Sequence, residues 1–259
     1  MTLHRAIVSP TALLAGAGGE VVIRGAEHNH MNRVLRLRAG DRVGLFDGCG
    51  VGWIGTILRT DGETTRVILD REDSRRVEPS TSVTLVQSLP QHADRMDFLV
   101  QKSTECGVFR IVPAISARTA PRAQGGGAAR LHRWRRIAIE AAKQSGRLRV
   151  PQVEEPSPMS EAISESALPQ KRLILTTEED DAVPLAAAGV SPAEGVVVAV
   201  GPEGGWTDGE LRSAREAGFR PVGLGPRILR SETAGIVAVA LVLCLSGQMD
   251  AGAASDRHG

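Results

Sequence analysis

The sequence predicts an α/β protein: a mainly parallel sheet with helices on both faces, preceded by a small β-barrel. Three observations carry this. Closely spaced strand signals run up to about Asp70, alternating strand and helix take over from Val83, and a glycine-interrupted stretch from Gly195 to Leu245 gives the later part its centre.

In the first part, Val21 to Ile23, Asp41 to Phe46, Trp53 to Leu58 and Thr64 to Leu69 read as strands. Each is bounded by turn residues such as Asp47-Gly48 and Asp61-Gly62. Only Glu27 to Leu37 has helical character there. Arg71 to Ser82, charged and containing Pro79, is the expected linker, so the domains are expected to be 1–72 and 73–259.

In the second part, Val83 to Gln87 and Ile111 to Ile115 are strands around a helix from Asp94 to Glu105, with Met96, Leu99 and Val100 on one side. Arg118 to Gly127 is expected to be a flexible loop. Ala128 to Ser145 is a long helix stopped by Gly146, with Leu131, Trp134, Ile137 and Ala141 at helical spacing. Ser157-Pro158 is expected to start a weaker helix through Ser166, Leu173 to Thr176 to form a strand, and Gly247 to Gly259 to be a frayed tail.

The central stretch opens on Val196 to Val200, too short and too β-branched for a helix, and so a buried strand. Gly201-Pro202-Glu203-Gly204-Gly205 stops it with a sharp turn that leaves amides facing outward. Thr207 and Glu210 have capping-box spacing at a helix start, and Gly218 ends that helix. Phe219 to Leu224 is a second strand broken by Gly225-Pro226. Arg227 to Arg230 form a loop, and Ser231 is expected to cap a final apolar helix. One glycine-rich strand end is explained by a tight turn alone; two that face the same way mark a cleft.

The totals exclude some classes. At 259 residues, with 42% hydrophobic and 24% charged residues, the chain has the composition of a folded globular protein. Cys49, Cys106 and Cys244 are far apart and lack metal spacing, and the six histidines form no ligand pattern, so neither a disulfide scaffold nor a metal site is expected. No membrane segment is expected, since Ile236 to Leu245 is too short to span a bilayer, and a cytoplasmic location fits. The net charge of +1 hides two basic clusters, Arg24 to Arg42 and Arg130 to Arg149, which suit either a polyanion or a solvated helix face.

The turn GPEGG matches neither the dinucleotide fingerprint nor a phosphate loop. Glu232 in a first helical turn complements the helix dipole, whereas Arg230 has no such explanation and suits an oxygen that gains negative charge.

Val200 to Gly205 with Leu224-Gly-Pro-Arg-Ile-Leu-Arg-Ser-Glu-Thr-Ala234 resembles the small-subunit ribosomal RNA uridine-N3 methyltransferases of the SPOUT, or trefoil-knot, superfamily. Gln101 to Val108, Trp134 to Arg147 with Val150-Pro151, and His30 to Gly48 agree in order along nearly the whole chain. Cys106, Lys143 and Ala117-Arg118-Thr119 depart from the family pattern. The resemblance implies a PUA-like N-terminal barrel that binds RNA, a C-terminal trefoil knot and a homodimer.

It further implies S-adenosylmethionine as cofactor and 16S ribosomal RNA of the small subunit as substrate. The expected cofactor residues are Leu175, Thr176, Gly201, Pro202, Glu203, Gly204, Gly205, Leu224, Gly225, Ile228 and Leu229. Arg230 and Glu232 are expected to be catalytic, and Arg33, Arg36, Arg38, Arg133, Gln144 and Arg147 to contact RNA. A relative acting on transfer RNA or 23S ribosomal RNA and a non-catalytic RNA-binding assembly protein are the alternatives.

Overall fold

In a computed structural model, the described residues are 3–120, 127–165, 167–177 and 182–249. Their contacts form two units, one of residues up to 78 together with 142–150, the other of 79–141 and 151 onward.

The first unit contains β1 (His4–Ile7), α1 (Pro10–Leu13), β2 (Glu20–Arg24), α2 (Gly25–Asn29), β3 (Arg42–Phe46), β4 (Gly52–Thr60) and β5 (Thr64–Glu72). The predicted helix is present, but it passes into a π-helical turn over His30–Val34. The sheet order is β1-β3-β4-β5-β2, with β1 parallel to β3 and the other ladders antiparallel. No ladder joins β1 to β2 among the described residues, so the expected barrel is an open, curled sheet. Val21, Ile23, Val43, Leu45, Ile57, Val67 and Leu69 face one core with Met31, as the period of two along a strand requires. The β4–β5 turn is set locally. Asp61 accepts from the amides of Glu63 and Thr64 and from the Thr64 hydroxyl, bonds that favour the carboxylate and hold its pKa down at about 2.

The predicted linker is anchored, because two of its acids are held by basic partners. Asp73 is buried against Arg75 and Arg5. Glu78 accepts from Arg147 Nη2 at 2.7 Å and from the amides of Leu148 and Arg149 at 2.8 and 3.0 Å. The boundary therefore falls after Glu78, and 142–150 pack with the first unit through Phe46, Ala142 and Leu148. Arg147 is thereby corrected from an RNA contact to a structural residue, since its side chain is only 5% exposed.

The second unit runs β6 (Val83–Ser88), α3 (Ala93–Cys106), β7 (Arg110–Ile115), α4 (Gly127–Ser145), β8 (Gln152–Val153), β9 (Ser157–Pro158), α5 (Met159–Ser164), β10 (Lys171–Leu175), β11 (Val183–Pro184), β12 (Val196–Val200), α6 (Asp208–Glu216), β13 (Arg220–Gly223) and α7 (Ser231–Leu245). Every ladder is parallel, in the order β11-β13-β10-β12-β6-β7-β8 with β9 on β7. Ser157-Pro158 pairs with Ala114 and Ile115 as a short strand, and Pro158 is also the N-cap of α5, so the predicted helix starts there but ends at Ser164. Most of the predicted flexible loop, Ser166 and the end of the predicted tail lie outside the described residues. At the start of that tail, Gln248 accepts from the amide and hydroxyl of Ser80.

β12 is buried throughout, as its run of valines predicts. One face of the sheet packs Val112, Ile174, Val197 and Ala199 against Ile163, Leu211 and Phe219. On the other, α7 lies against β6, β12 and α3. Gly235 permits this approach: a Cβ there would stand 2.4 Å from Gln87 Oε1. α7 is apolar nearly all round but not buried all round, since Leu241 and Leu245 are exposed.

Candidate active site

The three strands β10, β12 and β13 lie side by side and end at the same edge, so the loops leaving them meet there. They enclose a cleft of about 530 Å³ lined by Leu175 to Thr177, Val200 to Trp206, Val222, Leu224, Gly225, Arg227 to Ser231 and Ala234. All eleven residues expected to hold a cofactor are on that wall, as is Arg230. The two predicted glycine turns form one pocket because their strands share β10 as neighbour.

Three tethers shape the first turn. The Trp206 indole N–H donates to the Leu175 carbonyl at 2.8 Å, tying the far side of the loop to the end of β10. Its ring lies so close that a Cβ on Gly201 would come within 2.9 Å of it, which is why a glycine stands there. Arg118 Nη1 donates to the Gly204 carbonyl at 2.7 Å. Ser231 donates to the Gly201 carbonyl at 2.5 Å and accepts from Gln87 Nε2 at 2.8 Å. The expected role of Ser231 as helix cap is thus corrected: its hydroxyl is engaged by the loop, and Arg230 is the N-cap residue. The capping box at Thr207 and Glu210 forms as predicted, and the second oxygen of Glu210 accepts from the Ala117 amide at 2.8 Å.

Arg230 is exposed at the mouth of the cleft, beside the exposed Arg227 and Ile228. Ile228 is 89% exposed, so it is a rim residue. Glu232 is not on the wall. It is buried and turned toward α3, its Oε1 3.7 Å from Arg95 Nε, while its Oε2 has no hydrogen-bond partner among the described residues. Glu203 accepts from Arg95 Nη1 and from the Gln91 amide, each at 3.1 Å.

The expected RNA contacts divide by environment. Arg33, Arg36, Arg38 and Gln144 are exposed. Arg36 holds a left-handed backbone, φ 55, at a helix end where glycine is usual. Arg133 is on the surface but paired with Asp97, and Arg147 is buried as described. Sequence reasoning missed Arg95, Arg118 and Trp206, whose partners lie 31 to 137 residues away.

The RNA methyltransferase domain family matches residues 77–243, and the RNA methyltransferase PUA domain matches 23–69. Ribosomal RNA small subunit methyltransferase E of a Synechocystis strain is 32% identical, with 93% of this chain and 78% of that protein covered. The protein of that name from Mycobacterium bovis is 31% identical, with 95% and 94% covered. The crystal structure of ribosomal RNA small subunit methyltransferase E from Neisseria gonorrhoeae, bound to S-adenosyl methionine, has 35% identity and a TM-score of 0.85 over 95% of this chain and 98% of that one. This chain therefore belongs to the RNA methyltransferase family in which ribosomal RNA small subunit methyltransferase E is found.

Proposed function

We propose that the chain methylates N3 of a uridine in 16S ribosomal RNA, using S-adenosylmethionine as donor. The observation that carries this is the convergence of the Gly201–Gly205 turn and the Leu224–Arg230 loop on one cleft with Arg230 at its mouth. The residues present fit the donor. The cleft has the size of a small-molecule site, and Leu175, Val222, Leu224 and Leu229 offer apolar walls to an adenine, with loop backbone groups to read its edge. When bound, the donor supplies a sulfonium methyl that needs no further activation.

The protein's task is then to orient and to stabilise charge. The loop backbone around Gly204 and Gly205, fixed by Trp206, Arg118 and Ser231, would hold the donor and limit the access of water to it. N3 gives up its proton to solvent before the transfer, so that its lone pair is free to take the methyl. The negative charge that develops on the flanking carbonyl oxygens is met by the Arg230 guanidinium. Glu232, turned toward Arg95, orients rather than accepts the proton.

N3 is exposed only in an unpaired or unstacked base, which fits irregular RNA. Arg33, Arg36 and Arg38 on the first unit supply phosphate contacts, so this unit is the RNA-binding domain. RNA affinity is expected to fall steeply with salt, and Arg36→Glu is expected to weaken binding about tenfold and flatten the slope. Filter binding over a salt series checks this, and affinity indifferent to salt overturns it.

As the family resemblance implies, the C-terminal segment is knotted and the chain pairs with a second copy. Phe98 on α3 and Leu241 and Leu245 on α7, two helices packed together, offer exposed apolar groups for that pairing. Sedimentation at micromolar concentration is expected to give twice the 27.4 kDa chain mass, and the single-chain mass overturns it. Among the described residues no helix is long and apolar enough to cross a membrane. A cytoplasmic location follows from the substrate.

Mapping N3-methyluridine in small-subunit RNA from cells lacking the protein tests the whole reading. A uridine left unmodified there, and methylated by the purified protein, supports it. An unchanged map overturns it, and a loss confined to transfer RNA or 23S RNA transfers the activity to those substrates.

A further inference from the structure

We propose that Arg95 is a positioning residue that couples the Gly201–Gly205 loop to the start of α7. The assignment deepens the reading of this cleft as a methyl-donor site and rests on it.

Loop and helix are joined at two places. At Gly201 the join is neutral and direct, through the Ser231 hydroxyl. At Glu203 it is ionic and runs through α3: Arg95 Nη1 donates to Glu203 Oε1 at 3.1 Å, and Arg95 Nε stands 3.7 Å from Glu232 Oε1. One guanidinium thus serves an acid on the cleft wall and an acid in the first turn of the helix that follows Arg230.

The two acids do not depend on it equally. Glu203 is 33% exposed, so water can replace a lost partner, and it keeps the Gln91 amide. Glu232 is 8% exposed with one oxygen unpartnered, so it has no such recourse. The cation at position 95 therefore decides where the Glu232 carboxylate points. Through the backbone of the helix start it also sets the position of Arg230, two residues earlier.

The placement of Arg95 runs against its own helix. It is in the first turn of α3, where the exposed amides favour an anion and a cation is unfavourable. A local rule broken at the edge of a cleft, and compensated by partners 108 and 137 residues away, points to a role in the site rather than in the helix. Packing would need only the methylenes of the side chain; two acids at different angles need the fork of a guanidinium.

The test compares Arg95→Gln and Arg95→Lys with the wild type. The first readout is amide hydrogen exchange of a peptide spanning Val200 to Trp206, in the full protein without added cofactor. Arg95→Gln is expected to exchange there about tenfold faster, with the strands of the second unit unchanged. Arg95→Lys, which keeps the charge but cannot reach both acids at once, is expected to give roughly a threefold increase. The second readout is methyl transfer at saturating donor and RNA, where Arg95→Gln is expected to lower kcat about tenfold with KM for RNA unchanged. Wild-type exchange in both variants overturns the proposal, as does an acceleration spread over the whole unit. If the wild type transfers no methyl while the loop responds as expected, the functional reading fails and the coupling through Arg95 stands.

Discussion

Arg230→Ala is expected to lower methyl transfer roughly a hundredfold or more at saturating S-adenosylmethionine and RNA, with donor affinity and the unfolding midpoint nearly unchanged. Removing one preformed group that meets developing charge in an enzyme site costs on the order of a hundred to a thousandfold in kcat. Arg230 is exposed at the cleft mouth, so its removal leaves no cavity and no buried partner without a bond. Its backbone carbonyl, which accepts from the Ala234 amide at 2.8 Å in the first turn of α7, is retained in the variant. The effect should therefore appear in the chemical step. Single-turnover methylation with calorimetry of donor binding separates the two, and a variant that turns over like the wild type removes Arg230 from the mechanism.

Glu78→Ala is expected to destabilise the first unit by about 3 kcal/mol. Breaking a buried ion pair by deleting one partner typically costs about 3 to 5 kcal/mol, because the remaining charge is left without compensation. The Glu78 carboxylate accepts four bonds, two from the Arg147 guanidinium and two from the amides of Leu148 and Arg149. Glu78 itself is 20% exposed, so some water can enter, which places the expectation at the low end of that range. Urea unfolding followed by near-ultraviolet circular dichroism measures the loss. A loss below about 1 kcal/mol would show that the anchor at 147–149 contributes little.

Both expectations concern arginines in glycine-flanked, basic stretches that look alike in sequence, and their fates differ. Arg230 ends at the cleft mouth, while Arg147 is buried on Glu78. The second basic cluster supplied the expectation of a phosphate contact at Arg147, but it could not reveal an acid 69 residues earlier in the chain. Glu232 followed the same course. Its position in a first helical turn was legible, but its orientation toward Arg95 depends on how α7 lies on α3.

What the sequence determined by itself is the set of features decided within a few residues. β12 is a buried strand because five consecutive small or β-branched residues favour it. The start of α6 is fixed by Thr207 and Glu210 satisfying each other's backbone, and the turns at Gly205 and Gly225 by a φ that other residues avoid. Those local choices, repeated along the chain, sufficed to predict a parallel sheet and two glycine turns at one edge of it, whereas the eleven residues expected to hold the cofactor followed from the family resemblance. Only the tertiary structure decided which charged groups reach solvent and which are consumed by one another, whether the first sheet closes, and where one unit ends. Those outcomes depend on groups brought within a few ångströms from distant parts of the chain, and the energy of a charge is set by that neighbourhood rather than by its place in the sequence.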